Sequence, residues 1–244
     1  MFQNILVKLK HGAKKNRSIE LISRSIFKLV PVNVRTSLSE ASNNPYSNFE
    51  DKNNVIFVHV PKTGGNSITN SIFGSNGTGH DPISRYKIFD EAKFTSYFSF
   101  AFTRNPWDRF VSAYFYLKKG GIGLYDSEFY KNYLQHFDGF EDFVHELRDK
   151  SFRAAILKWT HFKPQTHFLC IEGEIRVDFL GAYENLYNDY ELLLKTLDIS
   201  EKKQLEQINY SHRNHYKSYY SDASKRIIGE IYESDIEILK YQFE

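Results

Sequence analysis

Strands alternating with helices make this chain an α/β domain with a mainly parallel sheet flanked by helices, and three stretches carry that reading. Val55 to Val60 is a β-branched apolar run suited to a strand buried on both faces, and a glycine loop and a helical pattern come after it. Tyr97 to Thr103 starts the same order again, with a turn at Arg104 and Asn105 and a helix opening at Pro106. The C-terminal part is helical, with Leu186 to Leu197 and Asp222 to Tyr241 as its main patterns. Sheets of this kind bind ligands at the carboxyl ends of their strands, where both polar loops fall.

Taken in order, residues 1–53 form a basic N-terminal segment and linker, and 54–244 a single domain. Residues 1–40 hold eight Lys and Arg against Glu20 and Glu40, whereas the whole chain of 244 residues is only +2. So small a net charge argues against a nucleic-acid partner. Ile19, Leu21, Ile22, Ile26, Leu29 and Val30 form an apolar face among cations. That face reads as a peripheral membrane contact, a transit peptide, or a helix packed on the domain. No secretory signal or membrane-spanning stretch is evident and Cys170 is the single cysteine, so the expected location is cytoplasmic, with peripheral contact at the inner membrane face. Residues 41–54 are polar and carry Pro45, which reads as linker. After the second helix, patterns at 139–148 and 152–160 read as helices, and Thr166 to Ile171 and Arg176 to Tyr183 as strands.

The first loop, Pro61-Lys62-Thr63-Gly64-Gly65-Asn66-Ser67, has what an anionic group needs. Gly64 and Gly65 permit close backbone approach, the helix start offers unpaired N–H groups, Thr63 and Ser67 add hydroxyls, and Lys62 adds a full charge. A tight turn with a solvated lysine is the bland alternative. The lysine precedes the glycines, so this is not a Walker A motif, which weakens a magnesium-dependent nucleotide phosphotransferase. In the second loop Arg104 sits at a strand end and Ser112 two turns into the helix. A guanidinium fork suits a phosphate, although Arg104 could equally pair with Asp108. Two anion sites on neighbouring strands point to a ligand with two separated phosphates.

The segments His59 to Ser67 and Phe102 to Tyr114 together closely resemble the two cofactor motifs of sulfotransferases that use 3′-phosphoadenosine 5′-phosphosulfate (PAPS), in the carbohydrate sulfotransferase branch. Phe162 to Thr166 and Val177 to Leu186 also look like family features, so the likeness spans about 54–241. The resemblance implies a P-loop-like sheet and metal-free transfer of a sulfuryl group to an acceptor hydroxyl on a carbohydrate or glycolipid. It places the 5′-phosphosulfate on Pro61 to Ser67 and the 3′-phosphate on Arg104 and Ser112, with Lys62 stabilising the leaving group. Ser211 to Asn214, with Arg213, reads as a flap over the cofactor or as a surface loop, and His212 and His215 as solvated loop residues. A catalytically inactive nucleotide-binding protein would have kept the loops without turnover.

The acceptor hydroxyl must lose a proton, and His80 lies where related carbohydrate sulfotransferases carry a histidine implicated as base. Asp81 beside it is expected to raise its ionisation, near 6.5 unperturbed, by favouring imidazolium. His161, His167 and Glu184 stand next for the role, Glu184 reading rather as a carboxylate at the start of its own helix. His59 reads as a strand residue satisfied by backbone, and Tyr125, Phe129, Tyr130 and Tyr133 as either an acceptor-side lid or an ordinary amphipathic helix.

Overall fold

The computed structural model describes residues 44–46, 48–74, 79–199, 204–205 and 213–244. The basic segment 1–40, with its amphipathic pattern, lies outside the described residues, as do Ser211 and His212. Tyr46–Glu244 forms one compact unit. No helix of the described residues is long and apolar enough to cross a membrane.

A short helix α1 (Asn48–Asn53) leads into β1 (Val55–Val58), and α2 (Gly65–Phe73), α3 (Ile83–Phe89) and α4 (Glu91–Ser96) carry the chain to β2 (Phe98–Thr103). Next come α5 (Pro106–Lys118), α6 (Leu124–Phe129), a π turn at Tyr130–Leu134, α7 (Phe140–Glu146) and α8 (Lys150–Leu157). A 3-10 turn at Thr160–Phe162 precedes α9 (Gln165–Leu169), the hairpin β3 (Cys170–Ile171) and β4 (Glu174–Ile175), and β5 (Phe179–Ala182). Three helices close the domain: α10 (Leu186–Thr196), α11 (Asp222–Ile231) and α12 (Glu233–Leu239).

The main sheet has the order β1-β2-β5 and both pairings are parallel, with Val55 opposite Phe98 and Phe100 opposite Phe179. Its two faces are covered by different helices. Val55, Phe57, Phe100 and Phe102 pack with Ile68 and Ile72 of α2 and Tyr190, Leu193 and Leu194 of α10. The alternate residues Ile56, Val58 and Ala101 pack with Ile83 and Tyr86 of α3 and Phe168 and Leu169 of α9. The continuous apolar run of β1 is thus the mark of a strand sandwiched between layers. A second, aromatic core surrounds α5, where Phe110, Tyr114 and Leu117 meet Phe140, Phe143, Phe162 and Tyr232.

Several expectations are corrected. Tyr46 is buried against Tyr86 and Asn48–Asn53 is helical, within residues whose composition reads as linker. Thr166 to Leu169 is helix rather than strand, because Asp235 on α12 accepts the N–H groups of Gln165 (2.8 Å) and Thr166 (2.9 Å) and so caps α9 from a distant element. The C-terminal helical pattern breaks at Tyr232, whose buried hydroxyl donates to the Phe162 carbonyl. Of the two readings of Tyr125, Phe129, Tyr130 and Tyr133, the packing matches the amphipathic helix: Phe129 sits in the aromatic core with the half-buried Tyr130 and Tyr133 packed on it, and Tyr125 is exposed.

Candidate functional site

Parallel pairing brings the ends of β1 and β2 to one edge, and each strand hands its chain to a helix there. After β1, Lys62 and Gly64 both adopt left-handed backbone (φ 71° and 82°), turning the chain into α2. The N–H groups of Lys62, Thr63, Gly64, Gly65 and Asn66 have no acceptor among the described residues; the first to be paired is that of Ser67, with the Gly64 carbonyl at 3.0 Å. An open helix start of this kind is a cradle for an anion. Gly65 is required here for space, because a Cβ would lie 2.4 Å from His59 Cδ2 and 2.8 Å from Phe57 Cζ. The Thr63 hydroxyl donates to the Val60 carbonyl (2.9 Å), so it braces the loop and only its backbone N–H is left to donate. Ser67 is buried in the first turn of α2.

After β2, Asn105 caps α5 by accepting the Trp107 N–H (3.1 Å), with Pro106 in the first turn. Glu184 accepts the Asn105 N–H (2.6 Å) and the Tyr241 hydroxyl (3.1 Å), so it serves the start of α5 rather than that of its own helix. Arg104 both pairs with Asp108 (Nε to Oδ2, 2.8 Å) and reaches across to the Lys62 carbonyl (Nη1, 3.0 Å). The two loops are therefore tied into one site. Gln165 grips the Arg104 backbone at both ends, accepting its N–H (2.9 Å) and donating to its carbonyl (2.7 Å). The Tyr183 ring lies 3.9 Å from the guanidinium and 3.4 Å from where a Cβ on Gly64 would stand. Arg213 also pairs with Asp108, which places it beside Arg104. Ser112 is half-buried one turn beyond Asp108, and Tyr116 one turn further; the spacing of four sets all three on one side of α5.

His80 lies behind the first loop. Its Nδ1 is 2.7 Å from the His59 carbonyl, a contact that requires the proton on Nδ1 and leaves the lone pair on Nε2. Burial, with the charges of His161 and Lys62, lowers its pKa to about 4 against the pull of that hydrogen bond and of Asp126. Asp81 takes no part; it pairs with Arg85 one turn along. The expected rise in the His80 ionisation is thus reversed, because the neighbour in sequence is engaged by Arg85 and burial outweighs the pull of the His59 hydrogen bond and of Asp126. His59, just past β1, is buried against Phe57 and stands 4.3 Å from His80, centroid to centroid. His167 is exposed beside Lys163, and His215 is exposed ahead of a 3-10 turn.

Sequence reasoning did not assemble the group around Lys62. Its ammonium sits 4.1 Å above the Tyr116 ring, the Tyr116 hydroxyl donates to Asp126 Oδ2 (2.7 Å), and His161 Nε2 is 3.6 Å from Asp126 Oδ1. Arg109, almost fully buried, holds the His161 turn through the carbonyls of His161 and Lys163. The His161 ring is 6.1 Å from that of His80, and its Nδ1 is buried with no partner among the described residues. Burial and the nearby Arg104 and Arg213 lower the Lys62 pKa to about 8, with Asp126 opposing them. Burial tends to raise Asp126, yet hydrogen bonds from His161, Tyr116 and the Ile122 N–H prevail and bring it to about 2. The spacing of Asp108, Ser112 and Tyr116 was legible in the sequence; the approach of Asp126 and His161 carries no local signal.

The model of the sulfotransferase family matches residues 45–242 of this chain, which takes in every described element from α1 to α12. A human protein, carbohydrate sulfotransferase 10, is 25% identical over 260 aligned residues, covering 84% of this chain and 71% of its own. An uncharacterized protein of Archaeoglobus fulgidus is 29% identical over 119 residues, covering 48% of this chain and 76% of its own. No solved structure matches the chain at a significant level.

Proposed function

The chain belongs to the sulfotransferase family, and from that premise we propose that it transfers a sulfuryl group from PAPS to an acceptor hydroxyl on a carbohydrate. The observation that carries this reading is the tie between the two loops: an open helix start with Lys62, joined through Arg104 Nη1 and the Lys62 carbonyl to a second cationic position on the next strand. That donor set fits a ligand with a 5′-phosphosulfate and a 3′-phosphate. The carbohydrate acceptor follows from the similarity to a carbohydrate sulfotransferase.

PAPS would bring the activated sulfuryl group. The N–H groups of Thr63 to Asn66 would hold the 5′ end, while Arg104, Ser112 and Arg213 would hold the 3′-phosphate. The Lys62 ammonium is fixed over Tyr116 and needs no reorganisation to stabilise charge on a leaving oxygen. His80, neutral at neutral pH and with Nε2 unprotonated, has a lone pair free to take the acceptor's proton. Arg104 and Arg213 share Asp108, so a phosphate dianion would compete with that carboxylate for the same guanidinium donors.

The test is binding of adenosine 3′,5′-bisphosphate with a chelator present. At 100 times the dissociation constant it should stabilise the fold by about 2.7 kcal/mol. Arg104→Ala should weaken it far more than adenosine 5′-phosphate, which lacks the 3′ group. Equal losses for both ligands would remove Arg104 from the 3′ site, and loss of binding and transfer on chelation would favour a magnesium-dependent phosphotransferase.

A further inference from the structure

We propose that Asp126 is a positioning residue that keeps the Lys62 ammonium charged and in place, acting through Tyr116 and the glycine loop ahead of α6. Its consequence for catalysis rests on the sulfuryl-transfer reading; its effect on Lys62 does not.

The geometry converges on this carboxylate from three segments. Tyr116 on α5 donates its hydroxyl to Oδ2, the Ile122 N–H donates to the same oxygen (2.9 Å) and also to the Tyr116 oxygen (3.0 Å), and His161 stands at Oδ1. The loop is wound tightly enough that Gly121, at φ 58°, has its Cβ position 2.3 Å from that of Asp126, so no side chain fits there. A phenol donating to a carboxylate has a more electron-rich ring, and the Lys62 ammonium rests on that ring. The charged groups acting on Lys62 are Arg104 and Arg213, both repelling, and Asp126, the single attraction among the described residues. Asp126 in turn faces His161 and Tyr116, and His161 faces Lys62 and Arg109 as well.

A neutral residue at 126 would leave the half-buried Lys62 beside two guanidiniums whose carboxylate, Asp108, is already shared between them, with its own stabilising anion gone. Its proton would then leave within the neutral range, and a neutral amine gives a leaving oxygen no charge stabilisation. Asp126 thus acts on the reaction through another side chain.

The experiment is competitive acylation of the full chain with acetic anhydride across pH, with Lys62 labelling read by peptide mass spectrometry. It needs neither cofactor nor acceptor. Wild type should show half-maximal reactivity near pH 8, Asp126→Asn about one unit lower, and Asp126→Glu close to wild type. Asp126→Ser, smaller and equally neutral, should shift Lys62 as Asn does and serves if the Asn variant does not fold. In transfer assays the alkaline limb should move with the label. A shifted label in a chain that transfers nothing from PAPS would support the role of Asp126 and refute the enzymatic reading. An unchanged Lys62 midpoint in a folded neutral variant overturns the proposal, whatever its activity.

Discussion

Burial of His80 should make the fold lose stability on mild acidification. In the unfolded chain the imidazole takes up a proton near 6.5, whereas in the folded domain burial delays this to about 4. Between those values the unfolded state binds more protons, so the His80 contribution is complete above pH 6.5 and is lost as pH falls towards 4. From pH 7.5 to pH 4.5 the difference amounts to roughly 2–3 kcal/mol. With a urea dependence of about 2–3 kcal/mol per molar, that is a midpoint shift of about 1 M. Carboxylates and other histidines titrate over the same range, so the measurement is a comparison with His80→Gln, whose amide N–H can still donate to the His59 carbonyl without taking a charge. Urea unfolding at the two pH values should show the wild type losing about 1 M more than the variant. Equal losses would mean that His80 is hydrated in the folded domain and titrates normally. If His80 is the base of the proposed transfer, the same burial should leave the rate flat through pH 6.5, where an unperturbed imidazole would give a rising limb.

Two further outcomes are expected. Lys62→Ala should lower turnover roughly 10²–10³-fold, as for loss of one donor aimed at the transition state, with a smaller effect on bisphosphate binding; normal turnover with poor PAPS binding would show that Lys62 only holds the ground state. Gly65→Ala should cost about 1–3 kcal/mol in urea unfolding, because the added methyl must displace His59, whose carbonyl orients His80; unchanged stability would mean that the β1 end yields without strain.

Legibility followed locality. The β1 run, the glycine loop, the Pro106 helix start and the pairing of Arg104 with Asp108 each depend on residues within a few positions of one another, and each stands in the structure as sequence implied. The anion cradle is of this kind, since the glycine loop runs directly into a helix start whose N–H groups have no partner within the helix itself. The parallel sheet was legible because strand buried on both faces, loop and helix recur in order. Groups separated by tens of residues were not legible. Asp235 caps α9 and turns an expected strand into helix, Glu184 caps α5 instead of its own helix, and Asp126 reaches Lys62 through Tyr116. His80 shows the reason most directly: its neighbour Asp81 is in sequence but not in contact, while His59, Lys62 and His161 surround it only once the sheet and the α5 layer have packed. Sequence alone determined which chemical groups the strand ends carry; their charge states were decided by the tertiary structure, because ionisation depends on burial and on charges brought close by packing.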